Sequence, residues 1–316
     1  FFDLGQTLAS VLLIGVKEVG PTALHSRINS NEGARAMEFK TLITHLADLD
    51  ANTDFLDSAA AMAETYNAHL DVVCHGIDRM TPGFHYGGVD PMLMQRTMQA
   101  AGEEAKAIAE KARATLNKSS TRWSVEEVVN PIGNINRSVA IRTRFSDMAI
   151  LPTPYGDNTS QLEAEGILEG ALFGGQSAVL ILPQSVAANP APERVIVAWN
   201  ESAEAMNAVR AALPLLTKAA SVRVTVIEPP RHGHERSDPG GPLSVFLARH
   251  GIKVEIDVLG KSLPRVSDVL LRHASDKDAD LIVMGAYGHS RFREAILGGA
   301  TRDMLEEANL PVFMKH

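Results

Sequence analysis

The sequence of 316 residues has one cysteine, no surplus of positive charge and no long apolar run, and each shortage removes a class of function. A lone thiol, Cys74, cannot form an internal disulfide or a multi-thiolate metal site, and it suits a reducing compartment, so a cytoplasmic location is expected. Against 38 Asp and Glu stand 30 Lys and Arg, a formal charge of −8, with no basic cluster to neutralise a phosphate backbone. Nucleic acid is therefore not an expected partner. The apolar run Leu8 to Val16 is too short to cross a bilayer, so no membrane partner is expected either. It also lacks a preceding basic segment and a small-x-small cleavage site, which speaks against a secretory leader. Met37 opens the stretch MEFKTLI, which reads as the start of a first strand, so residues 1–36 are set apart as an N-terminal extension.

Catalytic signatures are missing as well. No GKS or GKT follows a glycine-rich loop, no G-x-G-x-x-G and no H-E-x-x-H occurs, and neither Ser160 nor Ser290 sits in a nucleophile elbow. No catalytic residue is assigned.

What is present is alternation. Strand-like runs near 39–45, 69–75, 122–128, 147–152 and 177–183 are separated by helical patterns near 54–67, 91–117, 134–144 and 161–171. The same order returns with strands near 194–199, 221–228, 252–258, 280–285 and 311–315 and helices near 202–216, 241–250, 264–275 and 299–309. Short strands alternating with longer helices are the pattern of βαβ units and a parallel sheet. The predicted fold class is α/β, with two tandem Rossmann-like modules, each a five-stranded parallel sheet covered by helices on both faces. The fourth strands correspond, DMAILP at 147–152 and DLIVMG at 280–285, and the Pro- and Ala-rich stretch 184–193 reads as a linker. The modules are placed at residues 37–184 and 193–316. In such sheets ligands sit beyond the carboxyl ends of the strands, so the loops there are where chemistry is sought.

The strongest local signal is Gly285-Ala-Tyr-Gly288 followed by Gly298-Gly299-Ala300, between an apolar strand and the last helix. Glycines there let the backbone approach an anion, and the amino end of the helix offers free N–H groups and a favourable dipole. The same glycines would also serve simply to shape a tight loop. G-x2-G-x9-G in this position is similar to the nucleotide motif of universal stress proteins, matched here by Gly285, Gly288 and Gly298. That family usually has Ser or Thr next, where this sequence has Gly299. Its first strand ends in an acidic residue that reaches the ribose; the matching stretch, Val195 to Ser202, carries Ala198 and has Asn200 in that place. An amide can still bond a ribose hydroxyl, and Asn200 or Ser202 could equally cap the next helix. The segment around Val226 resembles the one whose backbone meets adenine.

The resemblance covers about residues 37–316 and implies a tandem universal stress protein, a stress-response module that binds ATP or another adenine nucleotide, with Mg2+ or Mn2+ accompanying the phosphates. It assigns nucleotide contacts to Ala198, Asn200, Val226, Gly285, Gly288, Gly298, Gly299 and Ala300, and no dedicated metal ligands. It also implies an intrachain pseudo-dimer, with strands Ala178–Leu182 and Val312–Lys315 pairing across the two-fold axis and homodimerisation left open. In the first module the motif is absent: Pro152 and Tyr155 stand where Gly285 and Gly288 stand in the second, and Gly166, Gly170, Gly174 and Gly175 do not restore the spacing. That module is expected to be a structural or regulatory partner. The rival readings are a nucleotide-free scaffold and, at most, weak ATP hydrolysis.

Remaining constellations carry less. His232, His234, Glu235 and Asp238 lie in a Pro/Gly-rich loop and read as solvated; His75 with Asp78, and His85 near Tyr86, read as a polar loop rim. Cys74 reads as a buried inert thiol, the stripe Met92, Met94, Met98, Ala101, Ala105 as core, and Arg291 and Arg293 as loop charges or phosphate contacts.

Overall fold

The structure is a computed structural model, and residues 38–48, 53–80, 91–155, 161–183, 189–229, 237–286 and 299–316 are described. Residues 37–316 form one compact unit. The first half runs β1 (Thr41–Leu46), α1 (Thr53–Thr65), β2 (His69–Asp78), α2 (Pro91–Leu116), β3 (Arg122–Pro131), α3 (Ile135–Thr143), β4 (Met148–Pro152), α4 (Gln161–Glu169) and β5 (Ala178–Leu182). The second runs β6 (Arg194–Trp199), α5 (Ala203–Leu216), β7 (Ser221–Ile227), α6 (Gly241–Arg249), β8 (Val254–Leu259), α7 (Val266–Asp276), β9 (Leu281–Gly285), α8 (Gly299–Glu307) and β10 (Val312–Lys315).

All ten strands join one sheet in the order β3-β2-β1-β4-β5-β10-β9-β6-β7-β8. Each half is parallel throughout, as its crossover helices require, and the inner strands β4 and β5 are continuous apolar runs because both their faces are covered. The halves meet where β5 pairs antiparallel with β10, Phe313 opposite Leu180. One apolar cluster, with Ala59, Ala112, Val209 and Leu247, lies under α1, α2, α5 and α6; a second, with Val139, Ile167, Leu270 and Met304, lies under α3, α4, α7 and α8. Helices thus cover both faces of the sheet.

The internal repeat extends to single hydrogen bonds. Asp147, just before β4, accepts from the backbone N–H of Lys40 at 2.6 Å and Thr41 at 2.9 Å. Asp280, just before β9, accepts from Glu193 at 2.8 Å and Arg194 at 2.9 Å. Both carboxylates tie down the start of the neighbouring strand, which is why Asp recurs at that register.

Two expectations change, and the glycines of the first module gain a packing role. Strand β2 continues to Asp78, so His75 is fully buried within the sheet rather than on a loop rim. In α2 the core is made by Ala101, Ala105, Ile108, Ala109 and Ala112, whereas Met92, Met94 and Met98 are exposed, because the first turns extend past the sheet. The glycines of 166–175 serve helix packing: a Cβ on Gly170 would stand 2.5 Å from the Asn136 carbonyl oxygen, and one on Gly174 2.5 Å from Ala140 Cβ. Small residues let α4 and the wide turn after it lie directly on α3. Among the described residues no helix is long and apolar enough to cross a membrane.

Candidate functional site

The carboxyl ends of β6, β7 and β9 open into a cleft of about 300 Å3. Ala198, Thr225 and Ile227 form its floor, and Met284 and Gly285 edge it on the β9 side. Val266, Ser267 and Leu270 of α7 make one wall, and Gly299, Ala300, Thr301 and Met304 of α8 the other. Trp199, Asn200, Ser202 and Glu204, from the turn between β6 and α5, form the rim.

That turn is built from the sequence Asn-Glu-Ser. Glu201 takes a left-handed conformation at φ 60°, unusual for a residue with a Cβ, and reverses the chain out of the strand. Ser202 then caps α5, its Oγ accepting from Ala205 N at 3.1 Å, while Asn200 Oδ1 accepts from Ser202 N at 3.2 Å. The Asn200 carbonyl oxygen is thus engaged in shaping the turn, and its NH2 remains the group that can donate outward.

The amino ends of α7 and α8 both point at the cleft. The first N–H groups of a helix have no partner within it, and their aligned dipoles favour negative charge. At α7 the N-cap position is Arg265, whose side chain makes no capping hydrogen bond. At α8 the first described residue is Gly299, where a Cβ would meet no described residue within 4 Å. Gly285 differs: a Cβ there would stand 2.5 Å from Ala205 N, so the glycine is required for β9 to pass under the first turn of α5.

Two side chains in the cleft are unsatisfied. Thr225 and Ser267 are each 1% exposed, and neither hydroxyl has a hydrogen-bond partner among the described residues. A buried hydroxyl without a partner costs about 1–3 kcal/mol relative to one that is bonded, so such groups ordinarily find one.

The equivalent place in the first half is filled. By sheet register His45 corresponds to Ala198 and His75 to Ile227. His45 Nδ1 lies 2.9 Å from His75 Nε2, His45 Nε2 lies 2.9 Å from Thr143 Oγ1, and Asn130 Nδ2 lies 3.0 Å from His75 Nδ1. Burial pushes the His75 imidazole down to about 4, with the Arg142 charge adding to the effect. Burial, reinforced by His75 and Arg142, holds His45 well below its usual value. Above them Arg79 bridges Glu163 at 2.6 Å and Glu104 at 3.2 Å. Burial also pushes the Cys74 thiol up to about 12, leaving it unreactive.

Of the residues singled out by sequence, Ala198, Asn200, Gly285, Gly299 and Ala300 come together in the cleft. The Val226 side chain turns into the opposite core, and its neighbours Thr225 and Ile227 line the cleft instead. Gly288 and Gly298 lie outside the described residues, as do His85, Tyr86, Ser160, His232, His234, Glu235, Ser290, Arg291 and Arg293. Sequence reasoning passed over Thr225 and Ser267. The available signal for Thr225 was its parity with Ile227 in a strand whose alternate positions, Val222, Val224 and Val226, form the other face.

Comparison with known proteins bears on residues 192–316, which match the model of the universal stress protein family. A universal stress protein of Synechocystis sp. is 32% identical over 73 residues, 23% of this chain and 24% of that protein. A universal stress protein of Methanocaldococcus jannaschii is 30% identical over 64 residues, 20% of this chain and 38% of the other. The matched segments therefore span well under half the length of these curated relatives. In structure, a universal stress protein from Archaeoglobus fulgidus superposes with a TM-score of 0.62 at 14% identity, covering 86% of this chain and 97% of its own. That likeness spans both halves and concerns the fold.

Proposed function

We propose that the chain is a universal stress protein through its second half, whose residues 192–316 match that family's model, and that this half is an adenine-nucleotide-binding module of a stress response. The observation that carries this reading is the open cleft at the amino ends of α7 and α8, bordered by Gly285, Gly299 and Ala300. Phosphate oxygens would meet the first-turn N–H groups of α8, together with the motif glycines Gly288 and Gly298, because free amides and a helix dipole suit a polyanion. The Asn200 NH2 would donate to a ribose hydroxyl. The base would lie over Ala198, beside the β7 backbone at Val226.

Among the described residues there is no group of three or more His, Cys, Asp or Glu that could hold a metal ion. A Mg2+ or Mn2+ ion would be carried by the phosphates, with Glu204 the carboxylate on the rim. The reading is of binding rather than turnover. The first half, with imidazoles where the second has space, would act as a structural or regulatory partner in the cytoplasm.

The test is to denature the purified protein, identify any released nucleotide, and titrate ATP into the stripped protein by calorimetry. Adenine nucleotide in the release, or micromolar heat of binding, supports the reading. Neither would leave a nucleotide-free scaffold, and ADP accumulating during the titration would show hydrolysis.

A further inference from the structure

Five buried side-chain polar atoms lack a hydrogen-bond partner among the described residues, and two of them, Thr225 Oγ1 and Ser267 Oγ, line the same cleft. The same cleft is lined by the apolar side chains of Ala198, Ile227, Val266, Leu270 and Met284, with Asn200, Ser202 and Glu204 at its rim. Thr225 stands on β7 and Gly285 on β9, with β6 between them. At a strand spacing of about 4.8 Å the hydroxyl is about 10 Å across the sheet from the glycine edge. Ser267 belongs to the first turn of α7, which has no side-chain cap. The cleft thus has polar groups in two places, the amino end of α8 and the hydroxyls of Thr225 and Ser267.

We propose that Thr225 and Ser267 form a subsite that hydrogen-bonds the polar edge of a heterocyclic base, and that this pair makes the cleft selective for nucleotides over simple polyphosphates. The inference rests on the nucleotide reading above. A hydroxyl both donates and accepts, so the pair can satisfy an amino group and a ring nitrogen on one edge. A base that fills these bonds gains, while a ligand without such an edge leaves both hydroxyls unpaired in the cleft. First-half register places Val73, a side chain without a hydroxyl, where Thr225 stands.

The experiment uses the full chain as wild type, Thr225→Val, Thr225→Ser and Ser267→Ala. Each is titrated with ATP and with inorganic tripolyphosphate, and melted without ligand. Thr225→Val and Ser267→Ala should each weaken ATP about tenfold, the worth of one buried hydrogen bond, with tripolyphosphate affinity unchanged. Thr225→Ser should retain ATP affinity. The ligand-free melting temperature of Thr225→Val should match or exceed wild type, because an isosteric methyl replaces an unpaired hydroxyl. Wild-type affinity for ATP in both Thr225→Val and Ser267→Ala overturns the subsite while leaving the nucleotide reading intact. Equal losses for ATP and tripolyphosphate also overturn it. A wild type that binds no ATP overturns both. If Thr225→Val does not fold, Ser267→Ala alone decides.

Discussion

An alanine at Gly285 should destabilise the protein before any ligand is added. The new Cβ would stand 2.5 Å from Ala205 N and 2.7 Å from the carbonyl carbon of Glu204, both backbone atoms of the first turn of α5. Backbone cannot swing aside as the tip of a side chain does, so either β9 or the capped end of α5 has to move. Overpacking of this kind costs about 1–3 kcal/mol. At about 2–4 °C per kcal/mol for a protein of this size class, the melting temperature should fall by about 2–12 °C. Gly299 is the control from the same motif: no described residue lies within 4 Å of a Cβ there, and alanine favours a helix over glycine. Gly299→Ala should therefore melt at or slightly above wild type. Differential scanning fluorimetry of the ligand-free proteins makes the comparison. A Gly285→Ala protein as stable as wild type would refute the close-approach argument, and a Gly299→Ala protein that falls equally would refute the separation of the two roles.

The space that the described residues leave at Gly299 also predicts that Gly299→Ser adds a hydroxyl donor at the amino end of α8 and tightens ATP several-fold by calorimetry; unchanged or weaker binding would contradict it. Acid should destabilise the first half through His45 and His75. The folded chain keeps both neutral while the unfolded chain takes up protons near pH 6.5, so their contribution is whole above that value and is lost as pH falls below it, for His75 down to about 4. The loss runs at up to about 1.4 kcal/mol per pH unit for each histidine. Urea midpoints between pH 7 and 4.5 should fall less steeply in His75→Gln than in wild type, and parallel slopes would refute the assignment. Phe313 is fully buried where β10 meets β5, so Phe313→Ala should cost about 3–5 kcal/mol. A single cooperative melt lowered by several degrees is expected, and an unchanged midpoint would mean that the strand junction contributes little.

The architecture was largely legible because parallel strands and crossover helices leave a strong alternating pattern, and Asp147 and Asp280 marked the repeat before their hydrogen bonds were seen. The limits came from residues whose environment is set by distant parts of the chain. His75 reads as a loop residue from its polar neighbours, yet β3 pairs with β2 as far as Asp78 and buries it. Met92, Met94 and Met98 share a stripe with Ala101 and Ala105, but only tertiary placement decides which turns of a long helix meet the sheet. Gly285 was read for its freedom near an anion, whereas the structure gives it a steric reason in α5. Thr225 escaped notice because a β-branched residue in a strand looks like core, and only the cleft beside it shows that its hydroxyl has nothing to bond among the described residues.

The central claim is that the cleft of the second half, not its filled counterpart in the first, takes an adenine nucleotide. Photolabelling the full chain with 8-azido-ATP, followed by peptide mapping, tests it directly. Label quenched by excess ATP and confined to peptides containing Thr225–Ile227 or Val266–Leu270 is the predicted result. Label on the peptides of His45 and His75, or none that ATP can displace, would contradict it.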